Sequence, residues 1–169
     1  MGKRLLLMRH AKSSWKEEGK TDFERSLNKR GRRVAPQMGR YLAEHGLQPQ
    51  KVISSSAKRA HETCDLLQTE FQGLTDDDIQ FVRFLYLAPA HEYLDLLERY
   101  YEPEVETLLI LGHNPGLEQA VYELGGLFES MPTAAVADIE FEADDWMEVR
   151  RPFQARLRQV LRPKEIGID

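Results

Sequence analysis

Two histidines stand where buried strands must end. Lys3-Arg4-Leu5-Leu6-Leu7-Met8 runs into Arg9-His10, and Thr107-Leu108-Leu109-Ile110-Leu111-Gly112 runs into His113-Asn114-Pro115-Gly116. Runs this apolar belong to strands buried on both faces, and open parallel sheets bind ligands beyond the carboxyl ends of their strands. The two histidines therefore predict one shared pocket. Arg9 brings a cation to the same edge, Arg59 opens the helix after Lys51-Val52-Ile53-Ser54, and Arg25 comes from the long polar loop before Leu27. Guanidinium forks match phosphate oxygens in bidentate fashion, and helix starts after Ser56 and Asn114 add N–H dipoles that favour an anion. A phosphoryl group is the guest that fits. A neutral imidazole, whose ordinary pKa is about 6.5, is then the available nucleophile, and nearby arginines help to keep it neutral.

One histidine alone would carry little weight, since most are structural or solvated. His45 closes a helix beside Gly46, His91 opens another, and His61 has no cationic company. The weight lies in two strand-end histidines joined by three arginines. Ser55 and Ser56 read first as helix caps, Glu62 as a neighbour's partner, and Trp15 either as a wall of the pocket mouth or as a cover for core. Asp76-Asp77-Asp78 lacks the spacing and glycine of a calcium loop and reads as a solvated turn.

The elements that must position these groups alternate. After the first strand, residues 11–26 form a loop. Asn28 caps a helix with Val34, Met38, Tyr41 and Leu42 on one face, and Pro36 predicts either a kink or a start near Ala35. A strand at 51–54 leads to a helix with Ala57, Ala60, Cys64, Leu67 and Phe71 on one face. A strand over 80–84 precedes a helix carrying Tyr93, Leu96, Leu97 and Tyr100. The apolar fourth strand follows, then a helix with Asn114 as N-cap and Pro115 at N1, stopped by Gly125-Gly126. Residues 134–141 and 155–161 read as later strands near a sheet edge. The order predicts a three-layer α/β/α sandwich around a mostly parallel central sheet of about six strands, with 1–169 as one domain.

Composition agrees with an ordinary globular chain, 41% hydrophobic and 30% charged. With 23 basic and 28 acidic residues the net charge is −5, which gives no footprint for nucleic acid or a membrane. The six basic residues from Arg150 to Lys164 follow six acidic ones and read as a charged sheet edge. Cys64 is the only cysteine, so no intramolecular disulfide forms, and the first apolar run is too short for a signal peptide. A cytoplasmic location is expected.

Four blocks in this order resemble the histidine phosphatase superfamily, which is phosphoglycerate mutase-like in fold, and within it the small SixA-type phosphohistidine phosphatases. They are Met8-Arg9-His10-Ala11-Lys12, Asp22 to Arg25 with Leu27 and Gly31, Ser55 to Arg59 with Ala60 and Thr63, and Gly112-His113-Asn114-Pro115. The resemblance implies that His10 is the nucleophile that takes the phosphoryl group, that His113 is the second catalytic histidine, and that Arg9, Arg25 and Arg59 clamp the phosphate. It implies no metal and no cofactor. Ser26 departs from the pattern, standing where a proline often follows the clamp arginine.

The 53 residues from 60 to 112 leave no room for a cap domain. A shallow site with no dedicated acid suits a phosphohistidine on a protein surface, because its imidazole leaves protonated on the other nitrogen. Asp22 is the candidate acid if one operates. Expected guests are a phosphorylated protein or small phosphate substrate, with a phosphate or sulfate ion able to occupy the site. The alternatives are a small-molecule phosphomonoesterase of the same superfamily and a non-catalytic phosphoprotein-binding module.

Overall fold

A computed structural model describes residues 2–169; Met1, where the expected domain begins, lies outside them. Six strands form one sheet in the order β3-β2-β4-β1-β5-β6, with β1 at Lys3–Arg9, β2 at Lys51–Ser55, β3 at Ile79–Val82, β4 at Thr107–Gly112, β5 at Val136–Phe141 and β6 at Ala155–Leu161. The β3-β2, β2-β4 and β4-β1 pairs are parallel, and β5 and β6 add antiparallel at one side. The sheet is therefore mixed and mostly parallel.

Strand alternation splits the core into two layers. Leu5, Leu7, Leu108 and Ile110 face a cluster with residues of α3 (Ala90–Arg99) and α4 (Gly116–Gly125). Leu6, Met8, Leu109 and Leu111 face the other side, against α1 (Lys29–Glu44) and α2 (Lys58–Gln68). All eight are fully buried, which is why β1 and β4 read as unbroken apolar runs. Burial of this double layer is the main source of stability, at roughly 25 cal/mol per Å² of apolar surface.

Several expected boundaries move. Helix α1 starts at Lys29 and runs through Pro36, so the later start near Ala35 is overturned: Asn28 caps it by accepting the Gly31 N–H at 2.8 Å, and its first turns bury Gly31, Val34 and Ala35. Ser55 and Ser56 are not the caps of α2. The strand β2 runs on through Ser55, Ala57 takes the N-cap, and no side chain caps the helix. Likewise Pro115 occupies the N-cap of α4 rather than N1, because the Asn114 amide turns away to donate to the Met131 carbonyl at 2.9 Å. Strand β3 stops at Val82, and a 3₁₀ turn over Arg83–Leu85 carries Leu85 into the α3/α4 core. Strand β5 begins at Val136, after Ala134 with φ 66° and a 3.0 Å bond from its N–H to the His10 carbonyl.

Between Arg59 and His113 the chain forms only the rest of α2, two 3₁₀ turns, β3, α3 and β4, and no separate cap domain stands over the sheet. No helix among the described residues is long and apolar enough to cross a membrane.

Candidate active site

Strand register brings the histidines together. Arg9 lies opposite Gly112 in the parallel β1-β4 pair, so the next residues, His10 and His113, leave adjacent strands side by side. The His10 N–H donates to the Gly112 carbonyl at 3.1 Å, and the two imidazole centroids lie 5.0 Å apart at 53°. Gly112 is required here: a Cβ would sit 2.1 Å from the Tyr93 hydroxyl, which accepts the His113 N–H at 3.1 Å and anchors that strand end. Helix α2 is tied to the β1 end by Thr63, whose Oγ1 accepts the Ala11 N–H at 3.0 Å and donates to the Arg59 carbonyl at 2.7 Å. Gly31 allows α1 to pack against Lys12, whose carbonyl would meet a Cβ at 2.1 Å.

The three arginines arrive by different routes. Arg59, 2% exposed, directs Nε at His10 Nε2 (3.4 Å), Nη1 at the Asp22 carbonyl (2.7 Å) and Nη2 at Asp22 Oδ2 (3.1 Å). Arg25 reaches in from the loop, with Nε on Asp22 Oδ1 (3.1 Å) and Nη1 on Ser13 Oγ (2.7 Å), and lies 3.5 Å from the centroid of the Trp15 ring. Arg9 donates from Nη1 to the Met131 carbonyl at 3.2 Å. These groups, with Lys12, Leu87 and Thr133, line a cavity of about 260 Å³. The Arg25 loop is secure despite Ser26: the Ser26 hydroxyl donates to Glu17, and the Ser26 carbonyl accepts the Ser14 N–H at 2.9 Å. Glu62 accepts the Leu27 N–H at 2.8 Å and fastens the end of that loop.

Electrostatics follow from burial among cations. Burial pushes the His10 pKa down to about 3 against its bond to Ala11, with His113, Arg59 and Arg9 adding to the fall. His113 falls to about 3 through burial and Arg59, with Asp22 opposing. Both rings are neutral at pH 7. His10 Nδ1 lies 2.7 Å from the Ala11 carbonyl, which can only accept, so Nδ1 carries the proton and Nε2 the lone pair. For Asp22, burial disfavours the charge, yet the Tyr86 hydroxyl at 2.5 Å, Arg59 and Arg25 outweigh it and bring the pKa to about 2. Asp22, the possible acid, is therefore a carboxylate at neutral pH that gathers two guanidiniums. Arg9 Nε, His113 Nδ1 and Asn114 Oδ1 are buried with no hydrogen-bond partner among the described residues. Two of these are nitrogens, one on an expected phosphate-binding arginine and one on the expected second catalytic histidine, an arrangement that suits an incoming tetrahedral anion.

Comparison with known proteins agrees with this geometry. Residues 5–80 match the model of the histidine phosphatase superfamily (branch 1), and over 154 residues the chain is 30% identical to an uncharacterized chloroplastic protein of Arabidopsis thaliana, covering 88% of this chain and 71% of that one. The chain belongs to the histidine phosphatase superfamily. Among solved structures this histidine phosphatase superfamily member is similar to a protein of Agrobacterium tumefaciens assigned as phosphohistidine phosphatase SixA, at TM-score 0.80 and 28% identity over 96% of this chain and 99% of that one. It shares the fold of the protein histidine phosphatase SixA complexed with tungstate, also at TM-score 0.80, with 17% identity over 96% and 99% of the two chains.

All six residues singled out from the sequence, Arg9, His10, Asp22, Arg25, Arg59 and His113, line the one cavity. Trp15 is 77% exposed at its mouth and does not cover core. The other histidines lie elsewhere: His45 stacks on Tyr41 at 3.8 Å, His61 on Phe81 at 4.0 Å, and His91 pairs with Glu92. Tyr86 was missed. It bonds Asp22, its ring centroid lies 5.6 Å from that of His113 with the planes at 82°, and its signal was position alone, one residue past the turn at the carboxyl end of β3. A larger cavity of about 730 Å³ opens at the opposite end of the sheet, where Arg4 is paired with Asp138 and Glu140 and Lys3 with two carbonyls. Both cations of β1 at that end are thus already paired.

Proposed function

We propose that this chain is a SixA-like phosphohistidine phosphatase, one histidine phosphatase domain over 1–169, that hydrolyses its substrate through a phosphoryl-enzyme formed on His10. The observation that carries the reading is the fixed tautomer of His10: Nδ1–H is held by the Ala11 carbonyl, and the Nε2 lone pair faces the cavity beside Arg59. Nε2 attacks the phosphorus of a substrate ring in its imidazolium form as the P–N bond breaks, and that imidazole, already protonated on its other nitrogen, leaves neutral. The phosphorylated ring of His10 is then an imidazolium. Water attacks phosphorus, the P–Nε2 bond breaks, His10 returns to its neutral Nδ1–H form, and the proton of the water leaves with inorganic phosphate.

Neither step expels an anionic leaving group, so neither requires a dedicated acid, in keeping with the ionised Asp22. Arg9, Arg25 and Arg59 clamp the phosphoryl oxygens and stabilise charge on them, with His113 beside them. The reaction needs no metal. The likeness to the SixA structures and the absence of a cap domain over the site support a substrate presented on a protein surface. The test is initial rates on a phosphohistidine peptide, a phosphoserine peptide and sugar phosphates. Fastest release from phosphohistidine is expected. Faster release from sugar phosphates would make the protein a small-molecule phosphomonoesterase, and tight binding without release a phosphoprotein-binding module.

A further inference from the structure

Ser55 ends β2 and His113 follows β4, the neighbouring strand, and the two side chains meet behind the cavity. The Ser55 hydroxyl accepts the Ala57 N–H at 3.2 Å and lies 2.8 Å from His113 Nε2. Ser55 is fully buried, and among the described residues Nε2 is the only acceptor its O–H meets. A buried hydroxyl proton without an acceptor is costly, so the O–H points at the ring. Nε2 is then the unprotonated nitrogen. In a neutral imidazole the proton must sit on Nδ1.

Nδ1 of His113 is one of the buried atoms without a partner, on a side chain 1% exposed that lines the cavity. The two histidines are thus wired in opposite senses. His10 spends its Nδ1–H on a carbonyl and keeps a lone pair for the cavity, whereas His113 spends its lone pair on Ser55 and keeps an N–H. One ring is equipped to attack phosphorus. The other is equipped to donate to an oxygen on it without bringing a positive charge.

We propose that Ser55 is a positioning residue that sets the tautomer of His113, so that Nδ1–H donates to an oxygen of the transferring phosphoryl group. The effect on turnover rests on the phosphatase reading above; the tautomer does not. Nitrogen-15 NMR of the imidazoles at pH 7 tests it directly. Wild-type protein should show His113 protonated at Nδ1, with that resonance moving when inorganic phosphate is added, and Ser55→Ala should shift the ring towards protonation at Nε2. Protonation at Nε2 in wild-type protein overturns the proposal, whether or not the protein is an active phosphatase.

Kinetics supply the second arm. Ser55→Ala should lower kcat on the order of tenfold to a hundredfold, with a smaller change in KM. In a His113→Asn background, where the amide nitrogen stands in for Nδ1, Ser55→Ala should cost no further activity. An equal loss in both backgrounds would show that Ser55 acts through packing and not through the ring. If Ser55→Ala fails to fold, the wild-type NMR spectrum still decides.

Discussion

The amino end of the sheet carries its charges in pairs: Arg4 is closed by Asp138 at 2.9 Å and Glu140 at 3.1 Å, and Lys3 by the carbonyls of Pro103 and Val105 at 2.7 and 3.0 Å. At the carboxyl end of the sheet, Arg9 Nε and His113 Nδ1 are buried with nothing among the described residues to bond. An unmet buried polar group costs roughly 1–3 kcal/mol, so this end of the fold is less stable than its own chemistry allows. One end holds the sheet together, and the other holds groups ready for a ligand.

That contrast breaks most sharply at His10. His10→Ala should lower turnover by about a thousandfold or more while circular dichroism reports a folded protein, because it removes the proposed nucleophile. Arg59→Met should cost about a hundredfold in kcat, the size expected for one lost donor to a developing oxyanion. It should also raise the pKa of Asp22, which leans on Arg59. At the other end, Trp146 is fully buried and donates from Nε1 to the Val105 carbonyl at 2.7 Å. Trp146→Ala should therefore lose about 4 kcal/mol in denaturant unfolding yet keep its kcat per folded molecule.

Acid sharpens the same comparison. His10 and His113 have pKa values lowered from 6.5 to about 3, so the unfolded chain takes up their protons first. The stability they contribute is complete above pH 6.5 and is lost as pH falls towards 3, and Asp22, lowered from 3.8 to about 2, continues the loss below that. Melting temperature should fall from pH 7 to pH 4.5, less steeply in His10→Ala than in wild-type protein.

What the sequence disclosed follows the same division. Leu5–Met8 and Leu108–Leu111 announced central strands because both faces of each are covered, and burial on two sides leaves no polar residue to blur the run. Residues 155–161 kept their alternation because β6 lies at the edge with one face open. Strand ends with charged residues then pointed to the cavity. The start of α1 was harder to read, because Pro36 argues against a helix locally while Asn28 and the buried face of α1 favour one. Tyr86 and the coupling of Asp22 to Arg59 depend on where β3 stops and on contacts across 37 residues or more of sequence, which no local pattern records. The service of Ser55 to His113 was hidden for a similar reason: a serine at a strand end looks like a cap until the neighbouring strand is in place.

The central claim is that His10 Nε2 becomes covalently phosphorylated. Rapid quenching of the protein with a phosphohistidine peptide at alkaline pH, followed by phosphorus NMR and peptide mapping, tests it. An acid-labile phosphoryl group on Nε2 of His10, absent from His10→Ala, is the expected result. Turnover with the label on His113, or with no label on any histidine, would contradict the account.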